Sequence, residues 1–160
     1  MLNKDIKKTK LAPKKTLIFF IAVFGLIILA IILLLLNKPE PKNNFITING
    51  NKIYIEKLIS EKSKEKGLSG RKFLPANEGL LFIYDSLGNW KIWMKDMLFS
   101  IDIIWINDQG TVVSVKKNVS PDTFPEIFEA GSQSKYILEV NSGLAEKYNT
   151  KIGDKVYNLF

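Results

Sequence analysis

The 160 residues contain no cysteine and no histidine. These absences exclude disulfides, thiolate and imidazole metal centres, cysteine nucleophiles and every histidine-based triad. Any acid–base chemistry must use carboxylates, lysine or tyrosine, and any metal must be held by oxygen. Nothing in the motifs below calls for a metal or a cofactor. Lack of cysteine alone fits any redox compartment. A concentrated basic face is also missing, although the net charge is +7. Six lysines against Asp5 in residues 1–15 carry +5 of that charge, and Lys38 and Lys42 against Glu40 carry +1. From residue 43 onward, 15 basic residues face 14 acidic ones. A phosphate-binding groove needs its basic residues gathered together, so nucleic acid is not an expected partner.

What is present first is a long apolar run. Thr16 to Leu36 is 21 residues without a charge; as a helix it extends roughly 30 Å, the thickness of a bilayer core. A cleaved leader has a shorter apolar region, about 7–15 residues, ending in a small-x-small site. Here the run ends in Leu34-Leu35-Leu36-Asn37-Lys38-Pro39, so it reads as an uncleaved signal-anchor whose partner is the lipid bilayer. The lysine-rich side stays in the cytoplasm. The expected organisation is a cytoplasmic basic tail at 1–15, a transmembrane anchor at 16–36, a proline-containing linker at 37–44, and an extracytoplasmic domain at 45–160.

Within that domain, Phe45–Ile48 and Ile53–Glu56 flank Asn49-Gly50, a hairpin signal. Residues 60–66 predict a short helix with Ser60 as N-cap and Gly67 as its stop. Gly67-Leu68-Ser69-Gly70-Arg71-Lys72 lacks the spacing of a phosphate loop and reads as a turn. Leu80–Tyr84 is apolar on both faces and predicts an internal strand. Trp90, Ile92 and Met94 share one face of the next. Ile101–Ile106 and Thr111–Val115 flank a turn at Asn107–Gly110, and 118–133 reads as an irregular loop. Lys135–Val140 predicts a strand, Ser142–Tyr148 a helical turn capped by Ser142, and Val156–Phe160 a last strand. Short strands at this spacing predict a mainly β domain, an antiparallel β-sandwich or small barrel with one or two short helices.

Six segments occur in a recognisable order: Gly67–Arg71, Glu78–Phe82, Trp93–Met97, Ile101–Ile104, Leu138–Gly143 and Gly153-Asp154. Together they resemble the bacterial and archaeal domain-of-unknown-function family numbered one hundred and ninety-two, over about residues 53–158. The resemblance implies a small β-rich domain, often exported, without an established activity. This chain departs from the family in having Ser69 and Gly70 before Arg71, Asp96-Met97 in place of Asn-Thr, and Ser100 in place of Pro.

The charged residues inside these apolar motifs are Arg71, Glu78, Lys95, Asp96, Asp102 and Glu139. A buried charge must be paired or face a solvated cleft. In one reading Arg71 pairs with Asp102 or Glu139 and pins the fold together. In the other, these residues line a polar cleft floored by Trp93 and Met94. An acid–base pair of Asp96 and Asp102, suited to glycan hydrolysis, requires a turn at Leu98–Ser100, because six extended residues separate side chains by roughly 20 Å. Trp93 and Trp105 are expected in the core, and Trp93–Ile106 as two central strands. The functional expectation is a binding or interaction module for an envelope ligand; the alternative is a carboxylate-dependent hydrolase of envelope glycan.

Overall fold

The computed structural model describes residues 14–36 and 44–159. Most of the expected basic tail, the linker up to residue 43, and Phe160 lie outside the described residues. The chain divides into two units, one holding the N-terminal helix and the other the β domain.

Helix α1 (Lys14–Leu36) is 23 residues long. Its described side chains, at 18–21 and 23–32, are apolar or glycine and exposed. Among the described residues no helix is long and apolar enough to cross a membrane. The anchor expectation therefore rests on the sequence.

The β domain has one large sheet. Its strands are β1 (Phe45–Ile48), β2 (Asn51–Leu58), β3 (Glu78–Gly88), β5 (Ile101–Ile106), β6 (Val112–Val119), β8 (Ser134–Asn141) and β9 (Val156–Tyr157). They lie in the order β6-β5-β8-β3-β2-β1-β9. Strands β4 (Lys91–Trp93) and β7 (Ile127–Glu129) form a separate antiparallel ribbon. Asn49 and Gly50 both adopt positive φ, as a two-residue hairpin turn requires. Backbone hydrogen bonds from Val112 N to Asp154 O (2.9 Å) and Val156 N to Gly110 O (2.8 Å) tie together the two ends of the sheet. The sheet is thereby curled into a half-barrel, which leaves little open edge.

This corrects the sandwich expectation, since one curled sheet replaces two stacked ones. It also corrects the all-antiparallel expectation, because β2 and β3 pair in parallel from Tyr54↔Glu78 to Leu58↔Phe82. Parallel neighbours need a crossover of a dozen or more residues. Residues 59–77 supply it, including α2 (Glu61–Lys66), where Ser60 caps as expected by accepting from Ser63 N. The expected loop at 118–133 contains β7, and helix α3 (Leu144–Lys147) is preceded by Gly143 as N-cap, not Ser142. Only the second half of Trp93–Ile106 is a central strand.

Alternation along the strands, interrupted by register shifts in the β3–β8 and β5–β6 ladders, produces two cores, one on each face of the sheet. Ile46, Leu81, Ile104, Leu138 and Val140 belong to the first, which α3 covers with Leu144 and Ala145. Leu80, Phe82, Ile103, Trp105 and Ile137 belong to the second. Ile92 of β4, Met94 after it, and Leu68 and Leu74 of the crossover complete that second core. Trp105 is fully buried, as expected, whereas Trp93 is 49% exposed. Its place on a three-residue ribbon strand, outside the large sheet, explains the miss.

Candidate functional site

The registers place Glu56, Leu80, Glu139 and Ile103 in one row across β2, β3, β8 and β5. Glu139 therefore belongs to the second face, in the middle of the sheet. Its residue exposure is 4%. Gly79 lets β3 approach closely here, since a Cβ would come within 2.9 Å of the Glu139 carbonyl oxygen. Among the described residues nothing donates a hydrogen bond to the Glu139 carboxyl. Burial pushes its pKa up to about 8, opposed by a longer-range attraction from Arg71. At neutral pH it is mostly protonated, so it can both donate and accept.

Glu139 lines a cleft of about 410 Å³ on the second face. Tyr84 and Trp90 stack in its wall, with ring centroids 3.9 Å apart and planes 7° from parallel. The short connection from β3 to β4 folds Trp90 back onto Tyr84, and Gly88 at the end of β3 leaves room for it, because a Cβ would lie 2.8 Å from the indole. Trp105 Nε1 donates to the Trp90 carbonyl at 3.2 Å and fixes its backbone. Lys64 Nζ sits 4.5 Å above the Tyr84 ring and pairs with Glu61 at 2.8 Å. Desolvation, then the nearby Glu139 and Glu61, push the Tyr84 phenol up to about 12. Trp93 stands at the cleft's exposed side, with Phe124 edge-on at 5.9 Å.

The other candidates do not converge on Glu139. Asp102 is wholly buried on the opposite face. Its Oδ1 accepts from Asn118 N and its Oδ2 from Ala145 N, each at 2.8 Å. Asn118 has φ of 56°, and Ala145 lies in the first turn of α3, so one carboxylate holds a left-handed kink and a helix start. Arg71 pairs instead with Glu56, through two bonds of 2.9 Å. Both expected partners of Arg71 are thus corrected. Asp102 is screened from it by the sheet, and Glu139 feels only its field. Glu78, at the first position of β3, adds to the negative potential around Arg71.

Asp96 is exposed in a turn at φ of 55°, a conformation that Asn and Asp tolerate better than most residues. Its carbonyl accepts from Gly70 N at 2.8 Å, and the Lys95 carbonyl accepts from Ser69 Oγ at 2.8 Å. The Trp93–Met97 motif therefore clamps the Gly67–Arg71 motif through backbone groups. The Lys95 ammonium lies 5.5 Å from the Trp93 ring centroid. Asp96 and Asp102 form no acid–base pair, since both oxygens of Asp102 are already occupied. Met94 is buried beneath the turn and does not line the cleft. Sequence reasoning missed Glu56, Lys64 and the stacking of Tyr84 on Trp90, which depends on how β3 is joined to β4. Among the described residues no group of acidic side chains is placed to hold a metal ion.

Known proteins agree with this fold. A solved structure of a proposed transcription regulator from Sinorhizobium meliloti superposes with a TM-score of 0.67 at 22% identity, over 70% of this chain and 90% of that one. A protein of unknown function from Novosphingobium aromaticivorans gives a TM-score of 0.66 at 27% identity, over 70% and 82%. No curated protein matches the chain. The family model described as uncharacterised ACR, the domain of unknown function DUF192, matches residues 44–157. These residues span the two-core half-barrel, its Glu139 cleft and all six sequence motifs, and the chain belongs to the DUF192 family.

Proposed function

We propose that this protein is a single-pass membrane protein whose β domain, outside the cytoplasm, is a binding module that takes an envelope ligand in the cleft over Glu139. The observation that carries the site is Glu139 itself, a carboxyl buried at the centre of a sheet face with no hydrogen-bond donor among the described residues. Such a group costs stability, and a protein that retains one at the edge of a cleft has a use for it. The anchor rests on the uncharged run Thr16–Leu36 and on the lysines before it. Hydrolysis of envelope glycan is the second reading, favoured by the same residue, because a carboxyl with a pKa near 8 suits a general acid.

The test uses the full chain in lipid nanodiscs. Cell-wall fragments, nucleotides and divalent ions are screened for thermal stabilisation, and every hit is repeated on Glu139→Leu. The expected result is a hit that the variant loses while melting no lower than the parent protein. Hits that survive the substitution, or no hits at all, remove the cleft as the site. Product release from a bound glycan separates hydrolysis from binding. Protease added to intact spheroplasts should digest the β domain; protection would place it on the other side of the membrane.

A further inference from the structure

We propose that the cleft takes an uncharged, hydroxyl-bearing ring, a sugar unit, with Trp93 packing on its apolar face and the Glu139 carboxyl hydrogen-bonding its hydroxyls. This rests on the binding-module reading above and adds the class of ligand.

Three observations favour it over an ionic ligand. The charges of the cleft nearly cancel: with Glu139 protonated, Lys64, Lys66 and Lys91 stand against Glu61 and Glu65. Two of these lysines are also engaged, Lys64 by Glu61 at 2.8 Å and Lys91 by Glu129 at 3.9 Å. An anion would find no concentrated positive field, and a free ammonium would have to displace a proton from Glu139. Second, a protonated carboxyl matches a hydroxyl group, which also donates and accepts. Third, the cleft offers aromatic surface at two levels. The Tyr84–Trp90 stack is largely buried, whereas Trp93 is half exposed. A hydroxylated ring has polar edges for the carboxyl and C–H faces for the indole, so it uses both parts of the cleft. The volume, about 410 Å³, falls within the usual range for small-molecule sites, about 300–1,000 Å³.

The experiment titrates tryptophan fluorescence of the full chain in lipid nanodiscs, free of glycoside detergents. The probes are tri-N-acetylchitotriose and maltotriose as neutral sugars, spermidine as a cation and inorganic pyrophosphate as an anion. The expected result is saturable binding of at least one saccharide and of neither ion. Trp93→Ala and Glu139→Leu should each weaken it tenfold or more. Glu139→Gln, which keeps a donor and an acceptor, should weaken it about threefold. Tyr157→Ala on β9, outside the cleft, should leave it unchanged. Spermidine binding that Glu139→Gln abolishes, or pyrophosphate binding in the cleft, overturns the sugar class while leaving the cleft a site. Absence of saccharide binding at millimolar concentration also overturns it. If a ligand found by the broader screen ignores both Glu139→Leu and Trp93→Ala, the binding-module reading of the cleft falls as well.

Discussion

Two buried acids on adjacent strands of this sheet have opposite fates. Asp102 of β5 and Glu139 of β8 are both nearly inaccessible, yet they lie on different faces because their register partners are Val140 and Ile103. Asp102 meets two backbone N–H groups that would otherwise be orphaned. Glu139 meets an apolar wall and an open cleft. The first acid holds a loop and a helix start in place, and its cost of burial is offset where it sits. The second has no such compensation within the described domain. Family motifs that look alike in sequence thus divide into scaffold and site according to whether the carboxylate oxygens are occupied.

The contrast should be largest in its pH dependence. Folding raises the Glu139 pKa from the ordinary 4.5 to about 8, so the folded domain holds more protons than the unfolded chain between those values. Stability from this group is complete below the lower value and is lost as pH rises through the upper one. At about 1.4 kcal/mol per decade the loss is on the order of 4 kcal/mol. Urea midpoints at pH 5 and pH 8 should show it in the parent and not in Glu139→Gln. Equal slopes for both proteins would mean that the carboxyl is solvated. Of the groups around it, the Arg71 guanidinium and the Tyr84 phenol are both held above that interval and keep their charge within it.

Next in size is Asp102→Ala, which should cost about 3 kcal/mol, because two charge-assisted bonds vanish and two backbone donors are left unpaired. Denaturation at pH 7 measures it; a loss under 1 kcal/mol would show that water replaces the carboxylate. Glu139→Leu should do the reverse and stabilise the domain by about 2 kcal/mol at the same pH, since it removes an uncompensated buried polar group. If both substitutions destabilise alike, the distinction between the two acids fails.

The residues that announced themselves in the sequence were those with local signals. Asn49-Gly50 marked a hairpin, Ser60 a helix cap, and the apolar Leu80–Tyr84 run an internal strand, because each depends on neighbours a few positions away. The parallel pairing of β2 with β3 was hidden, since the crossover that allows it resembles a string of turns. With that pairing unknown, the row joining Glu56, Leu80, Glu139 and Ile103 could not be written down. Arg71 was therefore assigned to the wrong carboxylates. Glu139 stands among the candidates for its unusual place in an apolar motif, and its lack of a hydrogen-bond donor among the described residues emerges only with the sheet order. Trp93 looked like core because its ribbon partner β7 lies in a stretch that reads as an irregular loop.

The smallest predicted effect tests Arg71, the residue best placed to blur the comparison. Its pair with Glu56 has two good bonds, but the side chains are 33% and 46% exposed, so water and salt screen most of the gain. Arg71→Ala should cost under about 1 kcal/mol, whereas breaking a fully buried ion pair costs about 3–5 kcal/mol. A loss in the higher range would make Arg71 the pin that the sequence suggested. Its influence on Glu139 is separable from its worth to stability. The guanidinium favours the ionised carboxyl, so removing it must raise the Glu139 pKa further and move the pH-dependent loss of stability upward. Carbon-13 NMR of the glutamate carboxyls in Arg71→Ala should show one group titrating later than in the parent. An unchanged titration would mean that Arg71 and Glu139 are electrostatically independent, and that burial alone sets the proton affinity of the cleft.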